Sequence, residues 1–232
     1  MTIQGILFDK DGTLFDFRAT WSPWAKSFLS RVCKGDQHRA TLVGQAVGFD
    51  FQSGEFSPSS IVIAGTPAEI ADVLIPQFPE YSAHEILDII NQEAEAAPMA
   101  EAVPLATFLG ALKTKGLKLG VATNDAEAPA RVHLNAVGVL DQFDFVVGSD
   151  SGYGGKPAPG QMLAFCDQCD LDPAQVVMVG DSLHDMRAGR AAGFQCIAVL
   201  TGLAEADVLA PEADVVLPDI GHILSWLDGA GS

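Results

Sequence analysis

The sequence predicts an α/β fold, in which a Rossmann-like parallel sheet carries a helical segment inserted after its first strand. From residue 117 onward, short and continuously apolar runs alternate with helical patterns, which is typical of parallel strands covered by helices on both faces. Residues 17–97 break this alternation, because they contain helical patterns without apolar runs between them. The 232 residues suffice for one large domain with a smaller insert.

Six apolar runs are the candidate strands of the sheet. One lies near the start of the chain and five follow the inserted segment: residues 4–8, 117–122, 143–148, 175–180, 195–200 and 213–218. Pro104 precedes a helical pattern that stops at Gly116, and a later pattern stops at Gly193. Proline is favoured in the first turn of a helix and glycine just past its end. We therefore expect residues 1–16 and 98–232 to form one α/β core.

The inserted segment, residues 17–97, is predicted to be a small helical domain. Residues 48–60 lack a helical pattern and are expected to form a loop. Because the segment follows the first strand, it is a candidate lid over the end of the sheet. Its apolar residues recur at helical spacing on three faces, formed by Trp21, Trp24 and Phe28, by Ile70, Val73 and Leu74, and by Ile86, Ile89 and Ile90.

The charge and hydropathy of the chain argue against nucleic acids and membranes as binding partners. The net charge is −17 at pH 7, and a field of this sign repels polyanions, so we expect no nucleic acid partner. No apolar stretch has the length of a membrane span, and the amino terminus lacks the pattern of a signal peptide. We therefore expect a cytoplasmic protein without a membrane partner. A site for a small anion needs local positive charge from a metal, a lysine or a helix amino terminus.

The cysteines are interpreted as free thiols. Cys166 and Cys169 form a C-x-x-C pair inside a predicted helix. A zinc site would need a second pair of ligands, and none is placed for it.

Two carboxylates follow the first candidate strand, in the stretch "GILFDKDGTLFD". Asp9 and Asp11 lie two residues apart, on the same side of the chain if it stays extended. Crowded carboxylates raise each other's pKa unless a cation lies between them. Gly12 then permits a tight bend and a close approach of the backbone. The pair therefore predicts a bound cation at the end of this strand.

Further polar residues follow later strands at their carboxyl ends, where open α/β sheets bind ligands. Oxygen ligands without histidine or cysteine suit Mg²⁺, and a hydroxyl with an ammonium suits a phosphoryl group. Taken singly, each of these motifs is better explained by helix caps or by a solvated charge than by catalysis. Their order along the chain favours one crevice, formed by Asp9, Asp11, Thr123, Lys156, Asp181 and Asp185.

This ordered set resembles the haloacid dehalogenase-like (HAD) hydrolase superfamily, particularly its phosphoglycolate phosphatase-like members. "DKDGT" resembles the first motif of that family, Thr123-Asn124 the second, Lys156 the third and "GDSLHD" the fourth. The resemblance extends over residues 1–16 and 98–232. It implies a HAD-like core whose inserted helical cap closes over the substrate.

The resemblance implies a division of labour between the first two acids. Asp9 would be the nucleophile, would form an aspartyl-phosphate and would also bind Mg²⁺. Asp11 would protonate the leaving alcohol and then activate water, while its backbone carbonyl would bind the metal. Haloacid dehalogenases lack an acid at the position of Asp11, so its presence favours phosphate ester chemistry.

The resemblance also implies roles for the later motifs. Thr123, Asn124 and Lys156 would bind the substrate, with Lys156 offsetting the charge of the nucleophile. Asp181 would complete the metal site, and Asp185 would orient water on the metal. The expected partner is a small phosphorylated metabolite.

Three functions are compatible with this set of residues. The first is a Mg²⁺-dependent phosphatase of small-molecule phosphate monoesters. The second is a phosphosugar mutase of the β-phosphoglucomutase type, which would need a bisphosphate activator. The third is a non-enzymatic phosphate sensor on the same fold, for which loss of Asp9 or Asp11 would be expected.

The cap contains few cations for a second anionic group on the substrate. Residues 40–112 contain no lysine or arginine. The carboxylate of phosphoglycolate would therefore have to be bound by Arg18, by Lys26 or by the core. The basic residues of the cap all lie in its first part: Arg18, Lys26, Arg31, Lys34 and Arg39.

Overall fold

The computed structural model describes residues 2–230 of the chain. Its helices and strands are, in chain order, β1 (Gly5–Phe8), α1 (Phe17–Val32), α2 (Gln37–Ala46), β2 (Phe49–Asp50), β3 (Glu55–Phe56), α3 (Pro67–Leu74), α4 (Ala83–Glu95), α5 (Leu105–Thr114), β4 (Lys118–Ala122), α6 (Glu127–Ala136), β5 (Phe145–Val147), α7 (Gly160–Cys169), β6 (Val176–Gly180), α8 (Leu183–Ala192), β7 (Gln195–Val199), α9 (Ala206–Leu209), β8 (Val215–Leu217) and α10 (Ile223–Ala230).

All six candidate strands form one parallel sheet in the order β5-β4-β1-β6-β7-β8. The continuous apolar runs are explained by burial on both faces. In β1, Ile6 and Phe8 pack into the hydrophobic cluster on one face, whereas Leu7 packs into the cluster on the other. The predicted Rossmann-like α/β fold is therefore confirmed. β1 lies inside the sheet, so the residues that follow it are surrounded by neighbouring strand ends.

The predicted helix ends agree with the structure. α5 begins directly after Pro104 and is followed by Gly116, whose φ is +80°. α8 ends at Gly193, which adopts the left-handed conformation with φ +85°. Only glycine takes up this conformation without a steric cost, so these residues stop the helices.

Helices α1–α4 pack around a hydrophobic core of their own. The three predicted apolar faces lie inside it, with Val73 partly buried and the other eight residues buried. The rings of Trp24 and Phe28 stack with their centroids 5.4 Å apart. The division into a cap of residues 17–97 and a core of residues 1–16 and 98–232 stays a prediction.

Residues 48–60, predicted to be a loop, contain a small antiparallel hairpin. Phe49 of β2 pairs with Phe56 of β3, and their ring centroids lie 4.7 Å apart. The Asp50 carboxylate accepts hydrogen bonds from the amides of Gln52 and Ser53, at 2.9 and 3.1 Å, which shapes the turn. Strands of two residues are too short to show alternation in the sequence, so the pattern did not reveal them.

The two connections between the sheet and helices α1–α4 run side by side. The Asp16 amide donates to the Ala100 carbonyl at 2.9 Å, and the Ala102 amide donates to the Leu14 carbonyl at 2.9 Å. This pairing places helices α1–α4 over the carboxyl end of β1. Within the described residues, every helix is too short or too polar to cross a bilayer.

We expect Ile86→Ala to lower the free energy of unfolding by about 2–5 kcal/mol, because it leaves a cavity in the core of helices α1–α4. The Ile86 side chain is 0% exposed. Urea denaturation followed by circular dichroism measures the change.

The control is Leu42→Ala on the outer face of α2, where the side chain is 55% exposed. This substitution should change stability by less than about 0.5 kcal/mol. Equal effects of the two substitutions would show that Ile86 does not belong to a packed core.

Candidate active site

A cavity lies between the carboxyl edge of the sheet and helices α1–α4. Asp9 follows β1, Thr123 follows β4 and Asp181 follows β6, and all three side chains are buried. The structure brings together every site residue predicted from the sequence. These seven residues, called the floor below, are Asp9, Asp11, Thr123, Asn124, Lys156, Asp181 and Asp185.

Lys156 bridges two of the carboxylates of the floor. Its Nζ lies 2.6 Å from Asp9 Oδ1 and 2.6 Å from Asp185 Oδ1. Burial alone would lower the pKa of Lys156, but the attraction of Asp185 and Asp9 outweighs it and raises the pKa. The lysine is therefore a permanent positive charge beside Asp9.

Asn124 fixes the backbone that carries this lysine. Its Oδ1 accepts a hydrogen bond from the Lys156 amide at 2.7 Å, and its Nδ2 donates to the Lys156 carbonyl at 2.9 Å. The same Nδ2 donates to the Ala64 carbonyl of the inserted segment at 2.7 Å. In this structure Asn124 thus positions Lys156 and joins the floor to the segment above it.

Thr123 is anchored through its backbone and its side chain. Its carbonyl accepts a hydrogen bond from Gln161 Nε2 at 3.0 Å, and its Oγ1 accepts one from the Asp125 amide at 3.1 Å. The hydroxyl proton of Thr123 is left for an acceptor in the cavity that it lines.

The floor holds more negative charge than its lysine offsets. Burial raises the pKa of Asp9 to about 7, with Lys156 opposing the shift and Asp185 and Asp11 adding to it. Burial also raises the pKa of Asp181 well above its ordinary value, and the charges of Asp9 and Asp185 act in the same direction. A cation would remove this penalty.

The donor set of the floor fits a magnesium ion. Oxygen atoms of Asp9, Asp181 and Asp185 lie within 4.8 Å of one another. Three buried carboxylates face one ammonium, so a divalent cation balances the charge, and oxygen-only donors are those that Mg²⁺ prefers.

Glycines bring the backbone close to Asp181. A Cβ at Gly12, whose φ is +82°, would lie 2.5 Å from Asp181 Oδ2, and a Cβ at Gly202 would lie 1.6 Å from the same atom. Thr201 Oγ1 donates to the Gly12 carbonyl at 2.6 Å and ties the two loops together. The close approach expected at Gly12 is confirmed, whereas the sequence contained no signal for Gly202.

Asp185 both caps helix α8 and contributes a carboxylate to the floor. Its Oδ2 accepts hydrogen bonds from the Ser182 amide at 3.0 Å and the Ser182 hydroxyl at 2.6 Å, which caps α8. Its other oxygen accepts from Lys156. The helix cap therefore holds the carboxylate in the position where it meets the lysine.

A second charged cluster lies beside the floor and was missed from the sequence. Lys10 is 0% exposed, and its Nζ lies 2.8 Å from Asp11 Oδ2, 3.1 Å from Asp125 Oδ2 and 3.0 Å from His133 Nδ1. It also lies 5.6 Å from the centroid of a Trp21 ring. The available signal in the sequence was the position of Lys10 between Asp9 and Asp11 at the end of a strand, where a lysine is expected to pair with an acid.

The proton of His133 is placed by its two partners. Its Nε2 lies 2.7 Å from the Ala94 carbonyl, so this nitrogen donates and Nδ1 accepts from Lys10. Burial and the charge of Lys10 lower the pKa of His133 to about 4. The ring is therefore neutral at neutral pH.

The cavity surface contributed by the inserted segment is apolar. We call it the roof. It contains three parts of the segment: the start of α1, the turn before α3 with α3 itself, and α4. Its residues are Phe17, Trp21, Val62, Ile63, Ala64, Gly65, Pro67, Ile70 and Ile90.

Comparison with known sequences assigns the chain to a family. The haloacid dehalogenase-like hydrolase profile matches residues 3–193, which include the whole floor. A phosphoglycolate phosphatase from Nitrosospira multiformis is 29% identical over 221 residues, covering 95% of this chain and 93% of that protein. Another from Rhodospirillum rubrum is 36% identical over 120 residues, covering 52% of this chain and only about half, 50%, of that protein.

Solved structures share the architecture. A predicted phosphoglycolate phosphatase from Haemophilus somnus aligns with a TM-score of 0.74 and 21% identity, covering 97% of this chain and 98% of that chain. A β-phosphoglucomutase from Clostridium difficile aligns with a TM-score of 0.68 and 16% identity, covering 99% of each chain. At these identities the likeness concerns the fold alone. The profile match over residues 3–193 shows that the chain belongs to the haloacid dehalogenase-like hydrolase family.

Proposed function

We propose that this chain is a Mg²⁺-dependent phosphatase, phosphoglycolate phosphatase-like, that hydrolyses a small-molecule phosphate monoester through an aspartyl-phosphate. The observation that carries the proposal is the contact of Lys156 Nζ with Asp9, at 2.6 Å, inside a cluster of buried carboxylates. A nucleophilic carboxylate needs such a cation beside it to stay ionised when buried. The family and the phosphatase relatives support the same reaction.

The reaction proceeds in two steps on this chain. In the first, an Asp9 oxygen forms a bond to phosphorus, the bond between phosphorus and the ester oxygen breaks, and Asp11 gives its proton to the leaving alcohol. In the second, water attacks the phosphorus of the aspartyl-phosphate, gives a proton to Asp11 and frees the Asp9 carboxylate as phosphate leaves. Lys156 and the Thr123 hydroxyl hold phosphoryl oxygens throughout.

The metal would be held by the side chains of Asp9 and Asp181 and by the backbone carbonyl of Asp11. When bound, it supplies positive charge that neutralises the phosphoryl group during transfer. Asp185, fixed by Ser182 and Lys156, orients water at this site.

Residues 17–97 act as the cap in this proposal. The roof covers the floor, and the paired connections near Leu14 and Ala102 are the places about which it would open. Closure excludes water from the first step, so that Asp9 rather than water attacks the ester.

A phosphosugar mutase is the second candidate function. It shares the fold, and a β-phosphoglucomutase is among the structural neighbours. The mutase would return the phosphoryl group from Asp9 to a sugar. The two functions therefore differ in the acceptor of the second step.

We expect Asp9→Asn to lower phosphate release by at least about 10⁴-fold, because the amide cannot attack phosphorus. Release of phosphate from a panel of monoesters, with Mg²⁺ or with EDTA, measures the change. EDTA should abolish the activity of the native protein.

Asp72→Asn is the matched control, because Asp72 is exposed on α3 and is not among the residues that line the cavity. It should keep native activity. Undiminished turnover by the Asp9→Asn protein would contradict the assignment of the nucleophile.

We expect one atom of ¹⁸O in the phosphate released in ¹⁸O-labelled water, because water attacks phosphorus in the second step. Mass spectrometry of the phosphate measures the label. A mutase would instead convert a hexose 1-phosphate to its 6-phosphate, with a bisphosphate present and little phosphate released. That result would replace the phosphatase by the mutase.

A further inference from the structure

We infer that the substrate has an uncharged, largely apolar leaving group. The inference rests on the proposed function and concerns the same cavity. The nine residues of the roof are apolar except for the indole N–H of Trp21, which is buried without a hydrogen-bond partner, and they lie opposite the floor that would bind the phosphoryl group. The part of the ester that points away from the floor therefore meets aromatic and aliphatic surface.

The cations of the cap lie elsewhere. Arg31 pairs with Glu93 at 2.8 Å and Arg39 pairs with Glu80 at 2.8 Å, on the outer surface of the helices. Arg18 is 64% exposed and lies 3.6 Å from Glu55. Among the described residues that line the cavity, Lys156 is the one lysine or arginine, and its ammonium is held by two carboxylates. His184 also lines the cavity, but it lies on α8 and not on the roof.

The roof would penalise a second anionic group. A carboxylate placed against Trp21, Ile63 or Ile90 loses water without gaining a cation, which is costly in an apolar environment. An alkyl or aryl group of the same size gains from burial there. This contrast separates phosphoglycolate from an ester with an apolar leaving group.

Two esters of equal size test the inference. Isobutyl phosphate and phosphoglycolate have leaving groups with the same number of non-hydrogen atoms, one apolar and one anionic. We expect kcat/KM of the native protein to be at least about tenfold higher for isobutyl phosphate. Ile63→Lys, at a partly exposed roof position, should shift this ratio towards phosphoglycolate.

The matched control is Leu42→Lys, which adds the same charge on the outer face of α2 and should leave the ratio unchanged. A native preference for phosphoglycolate, or a ratio that Ile63→Lys does not move, would overturn the inference while leaving the phosphatase intact. Hydrolysis of no ester at all would overturn the proposed function instead.

A separate observation, the buried cluster around Lys10, carries a second inference. We propose that Lys10 is a positioning residue that holds the Asp11 carboxylate towards the leaving group. This inference also rests on the proposed function. Asp11 faces the cavity with its side chain 12% exposed, and Lys10 lies behind it, completely buried.

The partners of Lys10 fix its ammonium in place. Its three donors are matched by Asp11, Asp125 and His133, at 3.1 Å or less. Asp125 in turn accepts from the Ala126 amide at 2.8 Å, and His133 donates to the Ala94 carbonyl. Because Asp125 and His133 are themselves fixed by these hydrogen bonds, they hold the Lys10 ammonium in one position. From that position the ammonium attracts the Asp11 carboxylate.

A comparison of two leaving groups separates positioning from general damage. We expect Lys10→Met to slow the single-turnover release of an alkyl alcohol by about 10²-fold, because the poor leaving group needs the proton of Asp11. Release of p-nitrophenolate from p-nitrophenyl phosphate should be little changed, since this anion leaves without a proton. Rapid-quench and stopped-flow absorbance measure the two rates.

Lys26→Met removes an exposed lysine of α1 and should leave both rates unchanged. The double variant Lys10→Met/Asp125→Asn removes both buried charges together and should show the same selective loss. Equal slowing for both esters, or no slowing for either, would overturn the positioning role. If the native protein hydrolysed neither ester, that result would overturn the proposed function rather than this inference.

Discussion

The ion pairs of Lys156 with Asp9 and Asp185 are the interaction on which the site depends. Three carboxylates are buried where β1 and β6 end, and burial of like charges is unfavourable unless cations offset them. The lysine supplies one positive charge, and the remaining negative charge makes the site suitable for a divalent cation. The same contacts oppose the rise in the pKa of Asp9 that burial causes.

The two acids of the first motif are held by two different lysines. Asp9 contacts Lys156, whereas Asp11 contacts Lys10. Neighbouring carboxylates in different electrostatic surroundings can take different roles in one reaction. In the proposed reaction, these separate partners are the structural basis for one nucleophile and one proton carrier only two residues apart.

The floor and the roof of the cavity differ in chemistry. The charged floor is built from strand ends and, in the proposed function, would contact the phosphoryl group that every phosphate monoester shares. The apolar roof comes from the inserted helices and would contact the leaving group, which differs between esters. Binding sites commonly combine apolar walls with a few placed polar groups, and here each kind comes from a different part of the chain.

The sequence by itself determined the α/β fold, because strands buried on both faces read as continuous apolar runs. It also determined that the acids following β1 and β6 lie in one site, because side chains that follow parallel strands meet at one edge of the sheet. The resemblance had already implied Lys156 beside Asp9, whereas only the tertiary structure decided that Lys10 contacts Asp11, Asp125 and His133. Lys10 and His133 are 123 positions apart, and no local pattern encodes a contact that depends on how strands and helices pack.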